Sequence, residues 1–190
     1  MRCLSCEKLS FHLICKKCQS TLLVPNFFKK ELEKDFFVYS FYSYEEIEPY
    51  ILSKYYFHGD RVFNILAKLA FAKFASNFSY PSLVYALPID DHTRHDFSHT
   101  AILARHLNSP CIKPLYNMLK ASNIVKYAGK DLEFRQKNPR KFVYKGASNI
   151  DVVLCDDLMT TGTTILEAKK VLKKHNVNVL FALTLSAFRS

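Results

Sequence analysis

Val152-Val153-Leu154-Cys155-Asp156-Asp157-Leu158-Met159-Thr160-Thr161-Gly162-Thr163-Thr164 is the stretch whose reading decides the fold. Its first residues belong to a segment from Ile150 to Cys155 that is apolar except for Asp151, the pattern of a short buried strand. Two adjacent carboxylates end that run, and a turn of small hydroxyl side chains around one glycine follows. Residues 165–174 then repeat apolar positions at helical spacing, and residues 178–185 form a last apolar strand. Strand, helix and strand of these lengths make a βαβ unit, so the predicted class is α/β, a parallel sheet covered by helices.

The same stretch carries chemistry. In open α/β sheets ligands sit beyond the carboxyl ends of the strands. The N–H groups and dipole of a helix N-terminus favour an anion there. Threonine hydroxyls add donors, and Gly162 permits a tight backbone nest. Carboxylates repel phosphate, so Asp156 and Asp157 need a different partner: sugar hydroxyls, or a divalent cation bound through water. An anion cradle beside a diol-binding acidic pair describes a ribose 5-phosphate. The Gly-Lys-Ser/Thr end of a Walker loop is absent, and an ordinary helix cap needs one Ser, Thr or Asp rather than this full set.

Working outward, the N-terminus holds four of the six cysteines as two Cys-x-x-Cys pairs, Cys3 with Cys6 and Cys15 with Cys18. Two such pairs can place four thiolates around Zn²⁺, leaving no open position for catalysis. A short loop separates them, so the unit is a knuckle held by its metal rather than by a core. An iron–sulfur cluster or a redox dithiol are the other readings of the spacing. Residues 1–22 are expected to form this unit, 23–57 an aromatic linker or hood, and 58–190 the main domain.

Residues 36–44 (FFVYSFYSY) read as one or two strands that enter a core, and residues 45–56 as a short helix turning Ile47, Ile51 and Leu52 inward. Gly59-Asp60 opens a long amphipathic helix to about Asn77. Residues 83–87 are a buried strand ended by Pro88, and residues 98–107 a second helix. Residues 111–124 read as a short strand or loop followed by a helix, and residues 126–146 as a mobile loop or flap. His92, His95 and His99 crowd the loop after Pro88; contact with phosphate or nucleic acid, or a metal, are readings of such a cluster, and solvated side chains rank first. Cys111 and Cys155 are read as packing residues.

The formal net charge of +10 favours polyanionic partners, although a lysine-rich solvated surface has the same composition. Basic candidates for nucleic acid include Lys16, Lys17, Lys29, Lys30, Lys126, Lys130, Arg135, Lys137, Arg140 and Lys141. The longest apolar stretch, residues 179–188, falls well short of a bilayer span, and cysteines stand where a signal peptide would need an apolar core. The expected location is the cytosol.

The segment from Val152 to Thr164 resembles the phosphoribosyl pyrophosphate (PRPP) motif of type I phosphoribosyltransferases: hydrophobic strand, Asp-Asp, two spacers, Thr-Thr-Gly-x-Thr. The wider order of features resembles ComF-type competence proteins, also described as amidophosphoribosyltransferase-like. These features are the four-cysteine unit, Lys54-Tyr-Tyr-Phe-His-Gly-Asp60, Leu87-Pro88, Arg94 with Phe97, and the C-terminal motif. Where that family often shows Arg-x-Arg-Gly-Phe-Asn-Gln, this chain has Thr93-Arg94-His95-Asp96-Phe97-Ser98-His99, and only Arg94 and Phe97 carry over.

The resemblance implies a type I phosphoribosyltransferase-like sheet behind a small zinc unit. It assigns Asp156 and Asp157 to the ribose hydroxyls, and Thr160, Thr161, Gly162, Thr163 and Thr164 to the 5′-phosphate. Arg94, a guanidinium suited to bidentate phosphate contacts, would hold the diphosphate. Structural Zn²⁺, and Mg²⁺ arriving with PRPP, are the implied cofactors. The implied role is in natural transformation: handling incoming single-stranded DNA on the cytosolic side of the membrane, beside a DNA-uptake helicase or translocase and the recombination machinery, with peripheral membrane association allowed. The alternatives are a Mg²⁺-dependent phosphoribosyltransferase of purine-salvage type and a PRPP-sensing regulator. The motif is compatible with turnover and with binding alone.

Overall fold

The β-rich runs assemble into one sheet because most of them are apolar on both faces and must be covered twice. In the computed structural model, which describes residues 1–89, 97–123 and 140–188, six strands form this sheet. They are β1 (Phe28–Glu33), β2 (Phe36–Ser43), β3 (Val84–Pro88), β4 (Ile112–Pro114), β7 (Asp151–Met159) and β8 (Asn178–Ala187), in the order β1-β2-β8-β7-β3-β4. Every neighbouring pair is parallel except the β1–β2 hairpin. Two short strands, β5 (Leu119–Ala121) and β6 (Phe142–Tyr144), pair antiparallel beside it.

Central strand β7 shows why the sequence reads as a continuous apolar run. Val152 and Leu154 enter one core, with Ile165, Ala168 and Leu172 of helix α6 (Thr163–Lys174). Val153 and Cys155 enter the other, with Val62, Phe63 and Leu66 of α3 (Gly59–Ala67) and Leu103 of α5 (His99–His106). A period of two feeds both cores from one strand. The expected α/β architecture is what the chain adopts, with the anticipated unit of β7, α6 and β8 at its centre.

The long helix expected from Gly59 to Asn77 is present but not uniform. Between α3 and α4 (Lys73–Asn77), residues Lys68–Ala72 form a π-helical turn. At its start, a Cβ on Gly59 would lie 2.2 Å from the Ser53 carbonyl oxygen and 2.9 Å from Phe97. Glycine therefore lets α3 abut the 3-10 turn Leu52–Tyr55, which ends helix α2 (Tyr44–Ile51). Ile47 and Ile51 point inward as expected, but Leu52 does not. It falls in the 3-10 turn and is 40% exposed.

Residues 36–44 serve the core: Phe36, Val38, Phe41 and Tyr42 are buried. The buried hydroxyls Ser40 of β2 and Thr184 of β8 bond each other at 2.7 Å, which satisfies both. The helix expected before residue 124 is not formed. β4 and β5 occupy that stretch, because Leu119 and Ala121 alternate into the core opposite Phe142 and Tyr144. Of residues 126–146, those before 140 lie outside the described residues, and β6 is a strand rather than a loop.

The N-terminal knuckle carries helix α1 (Lys16–Leu22), and Cys3, Ile14, Cys18 and Leu23 lie in the same buried cluster as Phe41, Ile47 and Ile51. Cys155 is fully buried and Cys111 packs against that cluster, as packing residues should. Among the described residues, no helix is long and apolar enough to cross a membrane.

Candidate functional site

β7 does not end at the acidic pair. Its ladder with β8 continues through Asp156, which pairs with Thr184, to Met159 opposite Ala187. Asp156 and Asp157 are therefore strand residues at the carboxyl edge of the sheet, and consecutive strand side chains take opposite faces.

Asp157 is 6% exposed. Its Oδ2 lies 2.5 Å from Lys54 Nζ, and its Oδ1 lies 3.8 Å from His99 Nε2. Burial alone would raise the Asp157 pKa, but the Lys54 and His99 charges and the Lys54 hydrogen bond outweigh it and hold the carboxyl well below the usual range. Lys54 answers in kind: burial would lower its pKa, but the Asp157 charge raises it above the ordinary lysine value. Asp156 is half-buried, and its Oδ1 accepts the Asp157 backbone N–H at 2.8 Å. Burial first, and then the neighbouring Asp157 charge, push its pKa well up, and Arg140 partly opposes the rise.

The hydroxyl loop stands next to this pair. Gly162, at φ +82°, is the N-cap of α6, and a Cβ there would fall 2.4 Å from Leu32 Cδ1 of β1. Both the backbone angle and the space require glycine. Thr161 and Thr163 hydroxyls lie 2.8 Å apart, and the Thr163 N–H donates to Thr161 Oγ1 at 3.4 Å. The first turn of α6 holds no acidic residue, while its last turn holds Lys173 and Lys174. The positive end of the helix dipole thus meets no carboxylate of its own first turn. One turn further on, Glu167 accepts the backbone N–H groups of Arg140 at 3.0 Å and Lys141 at 2.7 Å. This clamp fixes the start of β6 against α6 and sets Arg140 near Asp156.

The acidic pair and the loop of Thr160, Thr161, Gly162, Thr163 and Thr164 thus sit together at one end of β7. Arg94 lies outside the described residues, as do His92 and His95. His99 is not a solvated loop side chain: it is the first residue of α5, it is close to Asp157, and its ring meets Phe63 edge-on at 5.7 Å. Sequence reasoning also missed Lys54 and the placement of Arg140. Lys54 opens the quoted Lys54-to-Asp60 segment, yet 103 residues separate it from Asp157, and no local pattern links them. Beyond Lys54 the turn exposes Tyr55, Tyr56 and Phe57, and the Tyr55 ring centroid is 5.4 Å from Lys54 Nζ.

At the other end of the chain, the sulfur atoms of Cys3, Cys6, Cys15 and Cys18 all lie within 4.8 Å of one another. Backbone N–H groups of Ser5 and Cys15 point at Cys3 Sγ (3.4 and 3.2 Å), and that of Cys18 points at Cys15 Sγ (3.4 Å). Such donors favour thiolates, and four thiolates at this spacing fit one tetrahedral metal ion with no open position. The acidic pair is different. Both Asp157 oxygens already face cationic or ionisable nitrogen groups, and Asp156 lies under the influence of Arg140. The Lys54 ammonium at Asp157 Oδ2 stands where a Mg²⁺ ion bonded to that oxygen would have to sit.

No protein-family model matches the sequence, and no curated protein matches it. Among solved structures, the chain is similar to a hypoxanthine phosphoribosyltransferase from Staphylococcus aureus at 16% identity and a TM-score of 0.41, with 66% of this chain and 62% of that chain covered. The match therefore spans less than two thirds of that enzyme's length. It is also similar to an adenine phosphoribosyltransferase from Leishmania tarentolae at 13% identity and a TM-score of 0.43, covering 84% of this chain and 94% of that chain.

Proposed function

We propose that the chain binds PRPP through its ribose 5-phosphate half and acts in natural transformation, handling incoming single-stranded DNA on the cytosolic side of the membrane. One observation carries the ligand reading: an acid-free helix N-terminus with a Thr-Thr-Gly-Thr-Thr loop stands beside two carboxylates at the carboxyl edge of a parallel sheet. In this reading the loop N–H groups and threonine hydroxyls hold the 5′-phosphate. The acidic pair takes the ribose hydroxyls, with Asp156 the more accessible of the two. Arg94, and Arg140 beside Asp156, supply positive charge for the diphosphate. Mg²⁺ would enter on that diphosphate, since Lys54 already holds Asp157. Phosphoribosyl transfer at such a site would draw on positioning and on charge stabilisation of the leaving diphosphate by these arginines.

The transformation role is supported by the ordered motifs shared with ComF-type proteins, by the four-cysteine unit read as a structural Zn²⁺ site, and by the +10 charge. Single-stranded DNA and a DNA-uptake helicase or translocase are the proposed partners. Gene deletion tests the role: transformation should be lost while growth on salvaged purines stays normal. Normal transformation with lost salvage would instead establish a phosphoribosyltransferase of small-molecule metabolism. Release of diphosphate from PRPP, with and without DNA or bases as acceptors, separates an enzyme from a binding protein.

A further inference from the structure

Two carboxylates on adjacent residues repel each other when both are ionised, and the repulsion grows as the site dries. An acidic pair that must receive sugar hydroxyls therefore needs a positive charge close by. A divalent ion is one solution. This chain has another already in place. Lys54, on the 3-10 turn before α3, reaches across to Asp157 Oδ2 at 2.5 Å.

Lys54 is not a loosely held surface lysine. Only 17% of its side chain is exposed, and its Nζ also lies 5.4 Å from the Tyr55 ring centroid. Its turn is fixed from behind, because Gly59 packs its α-carbon against the Ser53 carbonyl. Ser53 in turn donates its hydroxyl to the Tyr50 carbonyl at 2.6 Å. On the far side of the carboxylate, His99 Nε2 stands 3.8 Å from Oδ1. A metal ion bonded to Asp157 Oδ2 would need a distance of about 2.1 Å to the oxygen that Lys54 holds.

Building on the PRPP-binding reading, we infer that Lys54 is the acidic pair's resident cation, holding Asp157 in the place of a divalent ion, so that the ribose 5-phosphate half of the ligand is taken without Mg²⁺. Lys54 is a positioning residue in this scheme. It fixes and neutralises Asp157, which leaves Asp156 to receive the hydroxyls. Mg²⁺ then matters only for a ligand that carries its own diphosphate.

The test uses ribose 5-phosphate, which has the sugar and the phosphate but no diphosphate. Its affinity for the full chain is measured by calorimetry with and without millimolar Mg²⁺. Mg²⁺ is removed by omission rather than by a chelator, which would also attack the cysteine site. The wild type should bind equally, within about twofold, in both conditions. Lys54→Met should bind about tenfold or more weakly without Mg²⁺, the loss expected for one charge-assisted contact. Added Mg²⁺ should restore much of that loss, which a merely structural defect would not allow. Lys54→Arg should stay close to the wild type.

A wild type that binds ribose 5-phosphate only with Mg²⁺ overturns the inference and leaves the ligand reading intact. So does a folded Lys54→Met with unchanged affinity. If Lys54→Met does not fold, the wild-type comparison and Lys54→Arg decide. Absence of ribose 5-phosphate binding in both conditions overturns the ligand reading itself, and this inference with it.

Discussion

The Glu167 carboxylate of α6 accepts the Arg140 backbone N–H at 3.0 Å, while its other oxygen takes that of Lys141 at 2.7 Å. One side chain on the helix that begins at the hydroxyl loop thus anchors the chain as it enters β6. Glu167→Ala should remove both bonds and destabilise the fold by about 2 kcal/mol, the usual range for hydrogen bonds to a charged group. Because Arg140 loses its anchor near Asp156, PRPP affinity should fall as well. Urea midpoints and PRPP titration of the variant measure the two effects.

Gly162 offers a sharper test of the loop. Its φ of +82° and the 2.4 Å approach of Leu32 to an added Cβ both oppose Gly162→Ala. The substitution should cost about 1–3 kcal/mol of stability. It should weaken binding of ribose 5-phosphate, since the loop must shift to fit the methyl group. Leu32→Ala in the same background should recover part of the stability but not the backbone angle.

The two aspartates give opposite pH signatures. Asp157 has a depressed pKa in the folded chain, so its contribution is present above the unfolded value, about 3.9, and is lost as the pH falls below it. Asp156 has a raised pKa, so the folded state holds its proton longer and stability falls as the pH climbs above that same value. Asp156→Asn removes the second effect, and the Asp157 contribution does not vary with pH above that value. Its stability relative to the wild type should therefore increase between pH 4 and pH 7, read as the difference in urea midpoints. A constant difference across that range would contradict the assignment.

The cysteine unit should act on the whole fold. Cys3, Ile14, Cys18 and Leu23 share a buried cluster with Phe41 and Ile47. Chelation, or Cys15→Ala, should release one metal ion and lower global stability by more than about 3 kcal/mol, a fraction of what structural Zn²⁺ contributes to small metal-held units. Metal analysis together with thermal melts checks both parts. A released ion with an unchanged melt would mark the unit as energetically separate.

What the sequence made legible follows from range. β7 and β8 are legible because burial on both faces leaves near-continuous apolar runs, α6 because its apolar residues recur at helical spacing, and the hydroxyl loop because its chemistry is contiguous. The strand β1, FKKELE, carries no legible strand pattern: it is an edge strand with alternate residues exposed, and its lysines and glutamates hide the period. β5 and β6 are three residues each, too short for a period to show. The acidic pair looked like the end of a strand because polar residues usually stop one, yet the β8 ladder carries it on to Met159. The contacts of Lys54 and His99 with Asp157 are not legible in the sequence, because only the tertiary fold brings α5 and the 3-10 turn to that carboxylate.

Calorimetric titration of PRPP into the full chain, wild type against Asp156→Asn, tests the central claim most directly. The variant keeps the shape of the side chain and leaves the Lys54–Asp157 pair in place. Saturable PRPP binding by the wild type, weakened about tenfold or more in the variant by loss of the carboxyl group that receives the ribose hydroxyls, is the predicted result. No PRPP binding by the wild type, or equal affinity in the two proteins, would contradict it.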